Sequence, residues 1–211
     1  MELLIEGGAG SGVVILAHGA GIPMDHPFMQ QVSEQLNSIG LQVVRFEFPY
    51  MAKRRSTGKK SLPDKLPVLI ASFKEVISKV KNEIKAQSNS KTVPIYLAGK
   101  SLGGRIATII ACTEPLAGVF VYGYPFHPIN KPDRLRVEHL QDINANIYIY
   151  QGERDKLGSI DEVGTYALSH NVTVEWLTDG DHDLKPRVRS GFTQQQHMNS
   201  ILSKIERIIK C

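Results

Sequence analysis

Ser101, Asp155 and His182 each stand where an apolar, β-type run gives way to a glycine-bearing turn, and together they hold the groups that nucleophilic catalysis needs. A serine hydroxyl is a weak nucleophile at neutral pH. A histidine with an ordinary pKa near 6.5 can take its proton and later pass it to a leaving group, while a carboxylate fixes the imidazole tautomer and stabilises the imidazolium. The chemistry would be acyl transfer through an acyl-serine. Ser101 lies in Gly99-Lys-Ser-Leu-Gly103, the G-x-S-x-G pattern in which a sharp, strained turn between strand and helix projects the hydroxyl. Upstream, Val93, Ile95, Tyr96 and Leu97 make a short β run; downstream, Leu102, Ile106, Ile109 and Ile110 recur at helical spacing. Two other readings of the stretch compete. A phosphate-binding P-loop would need a glycine where Pro94 stands, and Ser101 as a plain helix cap stays open.

The acid and the base come from two later turns. Gln151-Gly-Glu-Arg-Asp155 follows the run Ile147-Tyr-Ile-Tyr150, and Thr178-Asp-Gly-Asp-His182-Asp183 follows Val172–Leu177. Asp155 is the first candidate acid and Glu153 the second. The backbone N–H groups of Leu102, next after the serine, and of Ala20 are candidate donors to an oxyanion. Ala20 lies in His18-Gly-Ala-Gly21, a small-residue turn that closes the apolar run Val13–Ala17. His18, Gly21, Arg54, Arg55 and Tyr124 are candidates to line a substrate site, His18 chiefly by shaping its turn. The histidines show no metal-ligand spacing, and no cofactor is implied. Neither Gly7-Gly-Ala-Gly-Ser-Gly12 nor Gly19-Ala-Gly21 completes a dinucleotide fingerprint, because Val13 and Met24 take the third glycine positions.

Elements able to hold these groups are legible in order. Glu2–Glu6 reads as an edge strand and 13–17 as a strand buried on both faces. Phe28–Ile39 is an amphipathic helix closed by Gly40, and Leu41–Phe46 the next strand. Residues 51–67 read as a basic loop, followed by a long helix from Pro67 to near Gln87. After the helix that follows Ser101 come the strand 119–122, a short helical segment around 137–140, the strands 147–150 and 172–177, and a last helix with Met198, Ile201, Ile205 and Ile208 on one face. Strands alternating with helices predict a parallel sheet of about six or seven strands covered by helices on both faces, in a single domain spanning 1–211. The connection after Tyr122 leaves no room for a large lid.

A length of 211 residues with 42% hydrophobic and 22% charged residues suits a globular chain with its own core. Cys112 and Cys211 suggest no disulfide framework, and the acidic start lacks the basic region of a signal peptide. No apolar run is long enough to span a bilayer, so a cytoplasmic protein without a membrane partner is expected. One stretch accounts for the whole of the net charge of +4: there Lys53, Arg54, Arg55, Lys59, Lys60 and Lys65 face Asp64 alone. With no nucleic-acid module beside it, that stretch reads as a solvated loop, or as one that steers an anionic substrate or docks an acidic partner, rather than as a nucleic-acid site.

His18-Gly-Ala-Gly21, Gly99-Lys-Ser-Leu-Gly-Gly-Arg105, Gly123-Tyr-Pro-Phe-His-Pro128, Gln151-Gly-Glu-Arg-Asp155 and Gly180-Asp-His-Asp-Leu-Lys-Pro186 together resemble the α/β-hydrolase superfamily across the chain. Within it they look like the dienelactone-hydrolase-like branch that includes the testis-expressed and NSL-complex hydrolase-like proteins. The resemblance implies a three-layer α/β-hydrolase fold with the triad in the chain order Ser, Asp, His. Dienelactone hydrolases carry a cysteine where this chain has Ser101, so their substrate does not carry over. The expected activity is hydrolysis of a small ester or thioester; the alternative is a binding or scaffold protein on the same fold.

Overall fold

The computed structural model describes residues 2–87 and 92–210; Cys211 lies outside them. Its strands are β1 (Leu3–Glu6), β2 (Gly12–Ala17), β3 (Leu41–Phe46), β4 (Ile95–Lys100), β5 (Gly118–Tyr122), β6 (Ile147–Gly152) and β7 (Val172–Leu177). The helices are α1 (Pro27–Ser38), α2 (Pro49–Thr57), α3 (Leu66–Gln87), α4 (Leu102–Ala111), α5 (Glu138–Gln141), α6 (Ile160–Val163) and α7 (Gln194–Lys210). All seven strands form one sheet in the order β1-β3-β2-β4-β5-β6-β7. Only β1 runs antiparallel, against β3.

Every residue of β2 is buried, which follows from its place between β3 and β4 under helices on both faces. Alternate strand side chains divide between two cores. Val13, Ile15, Leu97 and Phe46 pack with Phe73 and Val76 of α3 and Ile106 and Ile110 of α4. Val14, Leu16, Ala98 and Val43 pack with Val32 and Leu36 of α1 and Ile201 and Ile205 of α7. The sheet is therefore the middle of three layers.

The basic stretch is not wholly a loop. Residues 49–57 form α2, with Pro49 in its first turn and a left-handed Gly58 closing it. Its helical pattern is weak because only Tyr50 and Met51 are buried. The short α6 also has no periodic signature; it is set by a capping box in which Ser159 and Glu162 satisfy each other. Among the described residues no helix is long and apolar enough to cross a membrane.

The chain leaves β3, crosses over, and returns as β4 on the other side of β2. Open α/β sheets bind ligands beyond the carboxyl ends of the strands at such a reversal. The turn after β2 holds residues 18–21, and the turn after β4 is Ser101 itself.

Candidate active site

One residue separates β4 from α4. Ser101 has φ 50 and ψ −111, a left-handed strained conformation that costs a non-glycine residue about 1–3 kcal/mol. Its neighbours show why the turn is so sharp. A methyl on Gly103 would lie 2.5 Å from the Ala17 carbonyl oxygen and 2.6 Å from that of His18, so α4 reaches β2 only because position 103 has no side chain. Gly99 meets the backbone of Gly103 and Gly104 in the same way. The Ser101 N–H donates to the Tyr122 carbonyl at 3.1 Å, tying the corner to β5.

Above this corner a relay of short contacts crosses three loops. His182 Nε2 lies 2.8 Å from Ser101 Oγ, and its Nδ1 lies 2.7 Å from Asp155 Oδ2. Asp155 is fully buried. Its Oδ1 accepts from the Leu157 N–H at 2.8 Å, and its Oδ2 also accepts from Gln151 Nε2 at 2.9 Å. With a carboxylate on Nδ1, the imidazole proton belongs there and Nε2 is left with a lone pair facing the serine hydroxyl. Glu153, the other candidate acid, points elsewhere: its Oε2 accepts from the Asp179 N–H at 2.8 Å. Asp181 likewise serves its own turn, accepting from the N–H groups of Asp183 and Lys185.

The turn after β2 faces the same corner. His18 has no exposed surface; its Nε2 accepts from the Phe48 N–H at 3.0 Å, so Nδ1 must carry the proton it gives to the Gly19 carbonyl at 2.7 Å. Burial depresses its pKa, which keeps it neutral in that tautomer. The Ala20 carbonyl is held by the Tyr50 hydroxyl at 3.2 Å and by Arg54 Nη1 at 3.3 Å. Among the described residues, the N–H groups of Ala20 and Leu102 donate to no acceptor.

Residues 10–210 match the family model described as the alpha/beta hydrolase domain. The chain belongs to that family. The fold is also that of solved structures at low identity. Est1E from Butyrivibrio proteoclasticus, solved with ferulic acid bound, superposes with a TM-score of 0.72 at 15% identity, covering 100% of this chain and 96% of that one. A serine hydrolase without a lid from Xanthomonas campestris gives 0.68 at 17% identity, over 97% and 88% of the two chains. Among curated sequences, a monoglyceride lipase homolog of Monkeypox virus is 29% identical over 104 residues, 49% of this chain. The match spans about a third of that relative's length, 34%.

Two residues of this α/β hydrolase escaped the sequence reading. Gln151 is fully buried and accepts from the Tyr124 N–H at 2.7 Å while its amide reaches Asp155 and the Gly158 carbonyl at 3.0 Å. A lone amide in an apolar strand was the available signal, since a buried polar group must find partners. Lys100, a charged residue at the end of β4, is 4% exposed. Its ammonium donates to the His182 carbonyl, pairs with Asp183 Oδ1 at 3.2 Å and lies 5.7 Å from the Phe28 ring centroid. Burial lowers its pKa and Asp183 works against that. Lys100 thus positions the His182 loop. Lys100→Met keeps the stem and removes the tether, and kcat for a short ester is expected to fall roughly 10- to 100-fold with KM nearly unchanged. Steady-state kinetics check this; a rise in KM alone would show that Lys100 holds substrate instead.

Tyr124, Arg55 and Arg54 are placed differently from the sequence expectation. Tyr124 has no exposed surface and gives its hydroxyl to the Arg136 carbonyl at 2.7 Å, so it is a core residue and cannot touch a substrate. Arg55 is already neutralised by Asp25 and Glu47, at 2.8 and 2.7 Å. Arg54 donates to the carbonyls of Ser61 and Ala20, with its guanidinium carbon 5.1 Å from the Tyr50 ring centroid. Both arginines brace the 18–26 turn instead of standing free for an anion. Gly21 is exposed with open space around it. His26, His127 and His197 each bond to backbone nearby. Among the described residues no three His, Cys, Asp or Glu side chains gather as a metal site would require.

Proposed function

We propose that this α/β hydrolase cleaves a small ester or thioester through an acyl-Ser101 intermediate. The observation that carries the reading is the continuous relay from Ser101 Oγ through His182 to buried Asp155, at 2.8 and 2.7 Å. His182 Nε2 takes the hydroxyl proton as Oγ attacks the carbonyl carbon. The N–H groups of Leu102 and Ala20 receive the oxyanion, each such donor contributing roughly 3–4 kcal/mol to the transition state. The imidazolium, steadied by Asp155, then protonates the departing alkoxide or thiolate. A water, deprotonated by the same nitrogen, attacks the acyl carbon, and collapse of the second intermediate returns the proton to Ser101 and frees the acid.

Two clefts share Asp183 in their walls and have the size of small-ligand sites. One, of about 400 Å³, includes Ile22, Phe28 and Gln31; the other, of about 380 Å³, includes Ile129, Leu157 and His182. The second reaches Asp155 and His182 and has room for a short acyl group or a modest alcohol or thiol. The motif resemblance supports membership of the dienelactone-hydrolase-like branch, with serine as nucleophile. The free, exposed thiol of Cys112 suits a reducing compartment, the cytoplasm.

A fluorophosphonate probe tests the assignment. Labelling is expected at Ser101, lost in Ser101→Ala and strongly reduced in His182→Ala, alongside hydrolysis of short p-nitrophenyl esters by the parent. A folded protein that neither labels nor hydrolyses any ester or thioester of a broad panel would instead be a binding protein on this fold.

A further inference from the structure

The connection from β5 to α5, residues 123–137, roofs a cavity of about 510 Å³ whose walls include Arg105, Arg134 and Arg136, with Asp133 and Glu138 also lining it. Nothing in the proposed reaction uses it. Among the described residues, the arginines that form ion pairs are Arg45, Arg55, Arg154 and Arg187. Among the described residues, Arg105, Arg134 and Arg136 form none.

This arrangement is unfavourable as it stands. Arg105 Nε is buried without a hydrogen-bond partner, where buried donors ordinarily find one. Arg136 is half-buried beside it, and burial together with the charge of Arg105 pulls its pKa below the usual arginine range. His139, which shares a hydrogen bond with Thr108 Oγ1 at 2.9 Å, feels the same field: burial and Arg105 push its pKa down to about 4. Like charges gathered in a partly desolvated hollow, none of them in an ion pair, are what an anion would relieve.

We propose that this cavity is an anion-binding site in which the guanidinium groups of Arg105 and Arg136, with Arg134 at the mouth, hold a small carboxylate or phosphate. The planar fork of each guanidinium suits either group by paired N–H donors. Arg105 lies one turn beyond Ser101 on α4, its N–H donating to the Ser101 carbonyl at 3.0 Å. The rise per turn puts the two backbones about 6 Å apart along the helix. The bound group is therefore either a free anion or the charged tail of an ester; only the second source rests on the function proposed above.

Calorimetric titration of the full chain with orthophosphate and with succinate at low ionic strength tests the site directly. Saturable binding is expected, weakened about tenfold or more in Arg105→Met and in Arg136→Met, and tightened in Asp133→Asn, which removes a competing negative charge. Should Arg105→Met fail to fold, the half-exposed Arg136 carries the test. Absence of binding by the parent, or equal binding by the parent and the arginine variants, overturns the proposal. Hydrolysis separates the two sources. A KM raised in Arg105→Met for mono-p-nitrophenyl glutarate but not for p-nitrophenyl butyrate assigns the site to the substrate tail. Unchanged KM for both esters, with phosphate binding lost, assigns it to a free anion. If neither ester turns over in the parent, the calorimetric result still decides the site.

Discussion

Asp155→Asn is expected to lower kcat for a short ester about ten-thousand-fold while the protein stays folded. The size of the effect follows from which groups surround the carboxylate. Its Oδ1 accepts from the Leu157 N–H, so an asparagine keeps its carbonyl there and turns its NH₂ toward His182 Nδ1. That nitrogen must then become an acceptor, and the imidazole proton moves to Nε2, where it faces Ser101 Oγ and blocks proton abstraction. Gln151 Nε2 loses its bond to the acid but keeps the Gly158 carbonyl, which is why the fold should survive. Circular dichroism and pre-steady-state kinetics check both halves. A variant that is folded and retains a tenth of parental kcat would remove Asp155 from the proposed mechanism and point back to Glu153.

Gly152→Ala is expected to cost at least about a hundredfold in kcat, because displacements on the order of 1 Å at an active site have that consequence. The reason is a crossing of loops. A methyl at position 152 would fall closer than 3.0 Å to the carbonyl oxygens of Gly180 and Asp181, which belong to the turn carrying His182. Backbone cannot rotate away as a side chain could, so the acid turn and the histidine turn must separate. Overpacking of this kind costs about 1–3 kcal/mol, which at roughly 2–4 °C per kcal/mol lowers Tm by several degrees without unfolding the chain. Thermal melts and kinetics on the same preparation separate the two effects. Parental kcat in this variant would show that the loops tolerate the separation and that the proposed relay is not so exacting.

Gly152 also shows how a correct reading of a residue can rest on an incomplete reason. In sequence it is the glycine of the turn that carries the candidate acid. Folded, it has no left-handed φ and is needed for the close approach of two strands' ends. The stretch around Ser101 was far more legible, because the signals that mark it lie within a dozen residues: a β run, two small positions that let helix and strand touch, and an apolar helical stripe. The helix α2 was not legible, since a segment with two buried residues imprints little periodicity on its composition.

What the chain determined by itself is the part that local chemistry controls: strands alternating with helices, the strained serine at one corner, and candidate acids and bases at the ends of later strands. Tertiary structure decided which of these meet. Asp155 reaches His182 and Glu153 does not; Lys100 holds the histidine turn; Arg55 spends its charge on Asp25 and Glu47; Arg105 and Arg136 share a hollow and, among the described residues, form no ion pair. Each of these outcomes depends on distances between segments far apart along the chain. Residue spacing encodes the period of one element and not the register between two, so only the packed sheet and its loops could settle them.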